Sequence, residues 1–194
     1  MKNNKGFTLI ELIAVVVILA VLMMLAVPNV VATINKNKKE AFLEDAKKFR
    51  AAVEAKLVSD TSIKLPNADS VIVFTLDKVG KAEIEESPYG TKYSTKYSFV
   101  AVTKQLEEHV VVNGEDKTLN KLAYYVNLIT CATDDCTDSS IESRYGINLK
   151  EVDELNKNNR FELVEQADSV VVPTNISEYV NSRFPGKTVN IYSK

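Results

Sequence analysis

The chain has 194 residues, of which 45% are hydrophobic and 26% are charged, and its formal net charge is -2. This composition excludes a disordered or collagen-like chain, and the near-neutral charge gives no electrostatic reason to expect nucleic-acid binding. The length is enough for one ordinary domain with an appendage.

The first predicted element is a long apolar helix. Every residue from Leu12 to Val27 is apolar, and only Thr8 and Glu11 interrupt the run when it starts at Phe7. As a helix, residues 7–27 would be about 31 Å long, which matches the hydrocarbon thickness of a membrane. The segment is therefore long enough to span a bilayer.

Length and charge leave three interpretations of this segment. A cleaved secretory signal would use Lys2 and Lys5 as its basic region and Val30–Ala32 as its cleavage site. The mature chain would then start near Thr33. A plain membrane anchor would keep the whole segment, but the carboxylate of Glu11 would cost roughly 2.5–3.5 kcal/mol deep in the membrane. The third interpretation is an assembly segment that makes use of this carboxylate.

The residues Lys5–Leu12 read K-G-F-T-L-I-E-L, which resembles the processing site of type IV prepilins. By this resemblance, residues 1–6 are a leader peptide that prepilin peptidase removes on the cytoplasmic side of the membrane. The bond cut is then Gly6–Phe7, and the new amino terminus on Phe7 is N-methylated.

The same resemblance gives roles to two residues further along the helix. Pro28 stands where these proteins commonly have a kinked helix, and its ring removes one backbone hydrogen bond. Glu11 is predicted to set the axial register of a filament, because an acid among packed apolar helices needs a cation such as the Phe7 amino group of a neighbouring subunit. An unpartnered buried charge costs several kcal/mol, so subunits docked out of register would be rejected.

An amphipathic half of the helix is predicted beyond the polar run Asn35–Lys39. A one-sided apolar stripe recurs there at helical spacing, formed by Phe42, Ala46, Phe49, Val53 and Leu57. We therefore divide the helix into a hydrophobic transmembrane and assembly half, residues 7–34, and an amphipathic half, residues 35–59. The stripe of the second half is expected to pack against a sheet.

Residues 60–194 predict a β-rich globular head. The expected strands are Val71–Leu76, Tyr97–Thr103, Val110–Val112, Leu122–Ile129 and Val189–Tyr192. Asn113-Gly114 is typical of a tight hairpin turn. The predicted fold class is therefore α+β, type IV pilin-like, in which a long amino-terminal helix packs by its carboxyl half against an antiparallel sheet.

Two helical segments are expected in the carboxyl-terminal third of the chain. Leu149–Asn156 has helical spacing of its apolar residues, and Ile176–Phe184 predicts a short helix capped near Thr174 or Asn175. Pro185-Gly186 is predicted to end the second one.

The two cysteines lie in one short loop. If this part of the chain is extracellular, Cys131 and Cys136 are expected to form a disulfide worth roughly 2 kcal/mol, the alternative being two reduced thiols. A zinc site has too few ligands, since His109 is the only histidine. Three carboxylates crowd the loop and either ligate calcium through their oxygens or form a solvated acidic surface: Asp134, Asp135 and Asp138.

The sequence predicts no catalytic site, no cofactor and no enzymatic activity, because none of the common phosphate-binding, dinucleotide-binding or metalloprotease motifs occurs. The resemblance implies a structural subunit of a type IV pilus, inserted in the membrane before assembly and then part of a surface filament with roles such as adhesion and twitching motility. The implied partners are other pilin subunits, prepilin peptidase, the membrane and the pilus assembly machinery, without nucleic acid. A minor pilin or a pseudopilin of a secretion or DNA-uptake machine is the alternative, and a membrane-anchored extracytoplasmic binding domain is a more remote one.

Overall fold

The computed structural model of the chain describes residues 8–79, 84, 86–112, 115–137 and 143–193, with the backbone alone at 106–112 and 115–120. The helices are α1 (Leu9–Ser59), α2 (Leu76–Val79) and α3 (Ile176–Arg183). The strands are β1 (Ser70–Thr75), β2 (Lys92–Tyr93), β3 (Phe99–Val112), β4 (Glu115–Cys131), β5 (Tyr145–Glu151), β6 (Glu165–Gln166) and β7 (Thr188–Ile191). Short 3-10 helices lie at Val152–Asn156, Arg160–Leu163 and Ala167–Ser169.

The chain divides into two compact units, Met1–Lys38 and Lys39–Lys194. The described part of the first unit belongs almost entirely to α1, which also supplies the first residues of the second unit. The second unit contains the sheet and α3 and is called the head below.

The head is built on a mixed, mainly antiparallel sheet. Its strand order is β6-β5-β4-β3-β1-β7, and β2 pairs with β4. The pairs of β1 with β3, of β3 with β4, of β4 with β5 and of β5 with β6 are antiparallel, whereas β7 pairs with β1 in parallel. These pairings confirm the predicted α+β class.

Both faces of the sheet are covered, and β1 shows how the sequence achieves this. Successive strand side chains point to opposite faces. Ile72 and Phe74 belong to a core that includes Phe42 and Phe49 of α1. Val71, on the other face, packs in a cluster with Val73, Phe99, Ala101 and Val180 of α3. The predicted stripe of α1 therefore packs against the sheet as expected, apart from Leu57, which lies at the edge of this core.

Four predicted segments differ from the structure. Val110–Val112 is the end of β3 rather than a separate strand, and Leu76 begins α2 instead of ending β1. The helix predicted at Leu149–Asn156 is wrong in its first part, because β5 continues to Glu151 by pairing with β4. The final strand is parallel to its neighbour rather than antiparallel.

The carboxyl-terminal helix agrees with the prediction. Asn175 is the N-cap of α3, and its side-chain oxygen accepts hydrogen bonds from the backbone N–H groups of Ser177 and Glu178. The helix ends at Arg183, and Gly186 takes a positive φ of 80° in the turn that follows. The predicted turn at Asn113-Gly114 lies outside the described residues.

Candidate functional site

Glu11 and Thr8 form a reciprocal cap at the start of α1. The backbone N–H and the hydroxyl of Thr8 both donate to Oε2 of Glu11, each at 2.8 Å. The backbone N–H of Glu11 donates in turn to Oγ1 of Thr8 at 3.4 Å. This arrangement is a capping box, in which two backbone donors at the helix start are satisfied by side chains. The carboxylate also lies in the first turn, where the helix dipole favours negative charge.

This role of Thr8 was not predicted from the sequence. The signal was present, because a threonine followed three residues later by a glutamate before an apolar run is a capping-box pattern. The consequence is that Glu11 has hydrogen-bond partners within its own chain. The predicted cleavage and methylation sites, Gly6 and Phe7, lie outside the described residues.

The apolar part of α1 presents its side chains to the outside all round. Each large hydrophobic side chain from Leu9 to Ile34 is between 47% and 80% exposed. A continuous apolar surface of this length has to be covered by lipid or by other proteins. Among the described residues, α1 is the one helix that is long and apolar enough to cross a membrane.

The polar side chains near the end of this apolar segment bond to the helix itself. The amide of Asn29 donates to the carbonyl of Leu25 at 3.3 Å, and the hydroxyl of Thr33 donates to the carbonyl of Asn29 at 2.9 Å. Polar groups satisfied in this way are tolerated in an apolar medium. Pro28 lies inside α1, next to these residues.

The loop between the cysteines is fixed to the sheet. A disulfide joins Cys131 and Cys136, both of which are buried. The backbone N–H and hydroxyl of Thr95 donate to the carboxylate of Asp134 at 2.5 and 2.9 Å. The guanidinium of Arg144 donates to the carbonyl of Cys136 at 2.8 Å. Contacts on both sides thus hold the loop in place.

Of the three predicted calcium ligands, the two that the structure describes have different partners. Asp134 is engaged by Thr95, whereas Asp135 pairs with Lys96 at 3.4 Å, and Asp138 lies outside the described residues. Within the described part of the chain, no group of three or more acidic, histidine or cysteine side chains is arranged to hold a metal ion.

Two tyrosines of the head, the buried Tyr93 and the half-buried Tyr89, pack against Phe42 of α1, with ring centroids 5.5 and 5.9 Å away. The hydroxyl of Tyr93 donates to the carboxylate of Asp45 at 2.8 Å. Burial and, next, the charge of Asp45 raise the pKa of Tyr93 far above its ordinary value. Tyr89 stacks on Tyr145 with a ring separation of 3.5 Å, and burial raises the pKa of Tyr89 to about 12. Both phenols therefore keep their protons to a higher pH than an ordinary tyrosine does.

Comparisons with known proteins point to one family. The family model for the prokaryotic N-terminal methylation motif matches residues 1–27. The chain is 45% identical over 53 residues to the type IV wide pilus major component PilA4 of Thermus thermophilus. That match covers 26% of this chain and 40% of the relative, so the chain spans well under two thirds of the length of this relative. No solved structure gives a significant match. The methylation motif, the pilin relative and the fold class together support the identification of this chain as a type IV pilin.

Proposed function

We propose that this chain is a structural subunit of a type IV pilus that polymerises through its amino-terminal helix into a surface filament. The observation that carries the proposal is the exposed apolar surface of α1 from Leu9 to Ile34. Before assembly, lipid covers this surface, and after assembly the helices of other subunits cover it. Because the apolar surface stays out of water throughout, the transfer avoids a hydration penalty of about 25 cal/mol per Å².

Processing precedes assembly in this proposal. Prepilin peptidase cuts between Gly6 and Phe7, and the new amino terminus on Phe7 is methylated. The match of the methylation-motif family to residues 1–27 supports this step. The cut creates a cationic amino group four residues before Glu11.

Glu11 sets the register between subunits. Its carboxylate binds the amino group of Phe7 on a neighbouring subunit, because a charge inside an apolar bundle is stable only beside an opposite charge. Pro28 adjusts the direction of the helix by removing one backbone hydrogen bond.

The proposed subunit has four parts with different roles. Residues 1–6 are the leader, residues 7–34 serve the membrane and the filament, residues 35–59 carry the head, and residues 60–194 form the filament surface. The separation of the chain into compact units at Lys38 and Lys39 supports a boundary near the polar run Asn35–Lys39. The partners are other pilin subunits, prepilin peptidase and the assembly machinery, and the roles of the filament are adhesion and motility.

The amino terminus of the native protein tests this proposal. Mass spectrometry of protein from sheared surface filaments should find a chain that starts at methylated Phe7. A plain membrane anchor would instead keep Met1 to Gly6 and stay in the membrane fraction, and a secreted product would start near Thr33. Either of these results would contradict the proposed function.

Replacement of the residue before the cut tests the processing step separately. Gly6→Ile should block cleavage, because a branched side chain replaces the glycine that ends the leader. The unprocessed chain should migrate about six residues larger on a gel and stay out of filaments. Ala14→Ile, which introduces the same branched side chain inside the apolar run, should leave cleavage intact. A product of unchanged mature size from Gly6→Ile would rule out this cleavage site.

A further inference from the structure

The head contains a cavity of about 230 Å³ on the face of the sheet that α3 partly covers. Thr103 of β3 and Ala123 of β4 line it and are direct partners in the sheet register. Tyr125 and Phe184 form an aromatic wall, with ring centroids 4.8 Å apart at 76°. The space suffices for one sugar-sized ring. The α1 residues of the head pack on the opposite face of the sheet.

A cation lies in this cavity without a carboxylate partner. The ammonium of Lys187 donates to Oγ1 of Thr103 at 2.7 Å and is half-buried. Among the described residues, no carboxylate pairs with Lys187, whereas Lys121 and Arg160 do have acidic partners. An ammonium has three donors, so Lys187 can still donate to a ligand.

The lining favours an anion that also has a ring. Among the described residues that line the cavity, none is acidic, and the ammonium of Lys187 supplies a positive charge. Gln105 lines the same space with an amide that can both donate and accept hydrogen bonds. Ligand sites of this kind combine aromatic surface with a few well-placed polar groups.

The aromatic wall stays uncharged at physiological pH. Burial raises the pKa of Tyr125, and the neighbouring carboxylates of Glu151 and Glu154 raise it further. A neutral phenol ring next to Phe184 offers apolar surface to the C–H face of a ring ligand. A small inorganic anion would leave this wall unused, and a neutral apolar ligand would leave Lys187 unpaired.

We propose that this cavity binds an acidic monosaccharide, with its carboxylate on Lys187 and its ring against Tyr125 and Phe184. Gln105 donates to or accepts from the sugar hydroxyls. This binding is a function of the head alone, so it does not depend on the role of α1 in filament assembly.

The full-length chain in detergent micelles, labelled with carbon-13 at its alanine methyl groups, provides the test. Ala123 lies in the cavity, so its methyl resonance reports on the site directly. Titration with glucuronate should shift this resonance to saturation. Glucose, which lacks the charge, and acetate, which lacks the ring, should each need at least about tenfold higher concentration. Equal affinity for glucuronate and either of these compounds, or no shift at all, would overturn the proposal.

Variants of the lysine separate recognition from folding. Lys187→Gln should weaken glucuronate binding at least about tenfold, because a charge-assisted hydrogen bond is lost. Lys187→Arg keeps the charge and should bind within about threefold of the original chain. Lys64→Gln makes the same change outside this cavity and should have no effect.

Each outcome for the variants either supports or contradicts the proposed binding site. Glucuronate binding to Lys187→Gln at the original affinity would remove Lys187 from the site and contradict the proposal. If Lys187→Gln fails to fold, the selectivity of the original chain for glucuronate over glucose and acetate still decides the matter. Tyr125→Leu should weaken glucuronate binding without affecting acetate, and an unchanged glucuronate affinity would contradict the role of the wall.

Discussion

Glu11 is proposed to have different partners in the single chain and in the assembled filament. In the single chain, its carboxylate accepts two hydrogen bonds from Thr8 and caps α1. In the proposed filament, it also faces the amino group of a neighbouring subunit. Capping alone needs an acceptor at this position, whereas the register role needs a negative charge. The two roles can therefore be separated by substitution.

Glu11→Ala should abolish or strongly reduce incorporation into filaments, because it removes both the cap and the charge. Glu11→Gln is the matched variant, since glutamine also serves in a capping box but has no charge. If the charge sets the register, the amount of subunit in sheared filaments should fall for both variants while circular dichroism shows a folded head. Normal filaments from Glu11→Gln would limit the role of Glu11 to capping.

The buried Tyr93 and the half-buried Tyr89 predict a loss of stability at high pH. An unfolded tyrosine ionises near pH 10, whereas burial raises the pKa of Tyr89 to about 12 and raises that of Tyr93 well above its ordinary value. The folded chain therefore keeps protons that the unfolded chain releases, so their contribution is complete below about pH 10 and falls between about pH 10 and pH 12. Urea unfolding over this range should give a steeper fall than in Tyr89→Phe/Tyr93→Phe. Equal slopes would contradict the prediction.

At the scale of elements, α1 combines an exposed apolar segment with a segment that has one buried face. Residues up to Ile34 expose their apolar side chains, whereas Phe42, Phe49 and Val53 are fully buried. The spacing of these buried residues predicted the face of the helix that packs on the sheet. Helical periodicity was informative here because one side of the helix is buried and the other is charged.

Phe49→Ala should lower the free energy of unfolding of the head by about 3–5 kcal/mol, since it leaves a cavity in the core shared by α1 and the sheet. Val58→Ala, on the same helix but 79% exposed, should change it by less than about 0.5 kcal/mol. Near-ultraviolet circular dichroism of the full chain in urea measures both values. A similar effect of the two substitutions would contradict the assignment of the packing face.

The strands were predictable only where burial alternates or is continuous. The hydrophobic stretches of β1, β3 and β4 were found, but the polar residues between Thr103 and Val110 hid the continuation of β3. A strand pair is held by backbone hydrogen bonds, so the hairpin of β3 and β4 extends through residues with no apolar pattern. The parallel pairing of β7 with β1 joins residues more than 110 positions apart, such as Ser70 and Thr188. Sequence periodicity carries no signal for such a contact.

The candidate sites also differ in how far they could be predicted from the sequence. The processing motif and the capping box are local patterns in the sequence, so both could be identified from residues a few positions apart. The cavity near Lys187 is formed by residues of β3, β4 and the segment after α3. Such a site exists only after distant parts of the chain have come together, and no spacing of residues could predict it.

On the scale of the whole molecule, the two compact units differ in where their apolar side chains lie. The described apolar residues of the first unit need lipid or other helices, because they are exposed. The core of the head draws its α1 residues from Phe42 onwards. Two polar contacts lie at the start of the head: Lys39 donates to the carbonyl of Phe161 at 3.0 Å, and Glu40 pairs with Arg160 at 3.1 Å.

Removal of residues 1–38 should therefore leave a soluble, monomeric head that unfolds cooperatively, because its core and the contacts of Lys39 and Glu40 are retained. A matched chain that starts at Arg50 lacks Phe42, Leu43, Ala46 and Phe49, all of which are fully buried. Since each large core deletion costs roughly 2–5 kcal/mol against a total stability of about 5–15 kcal/mol, this shorter chain should not fold. Analytical ultracentrifugation and thermal unfolding distinguish the two. Aggregation of the chain that starts at Lys39 would mean that the head needs the first unit for its own stability, and the separation of membrane and head functions would then be wrong.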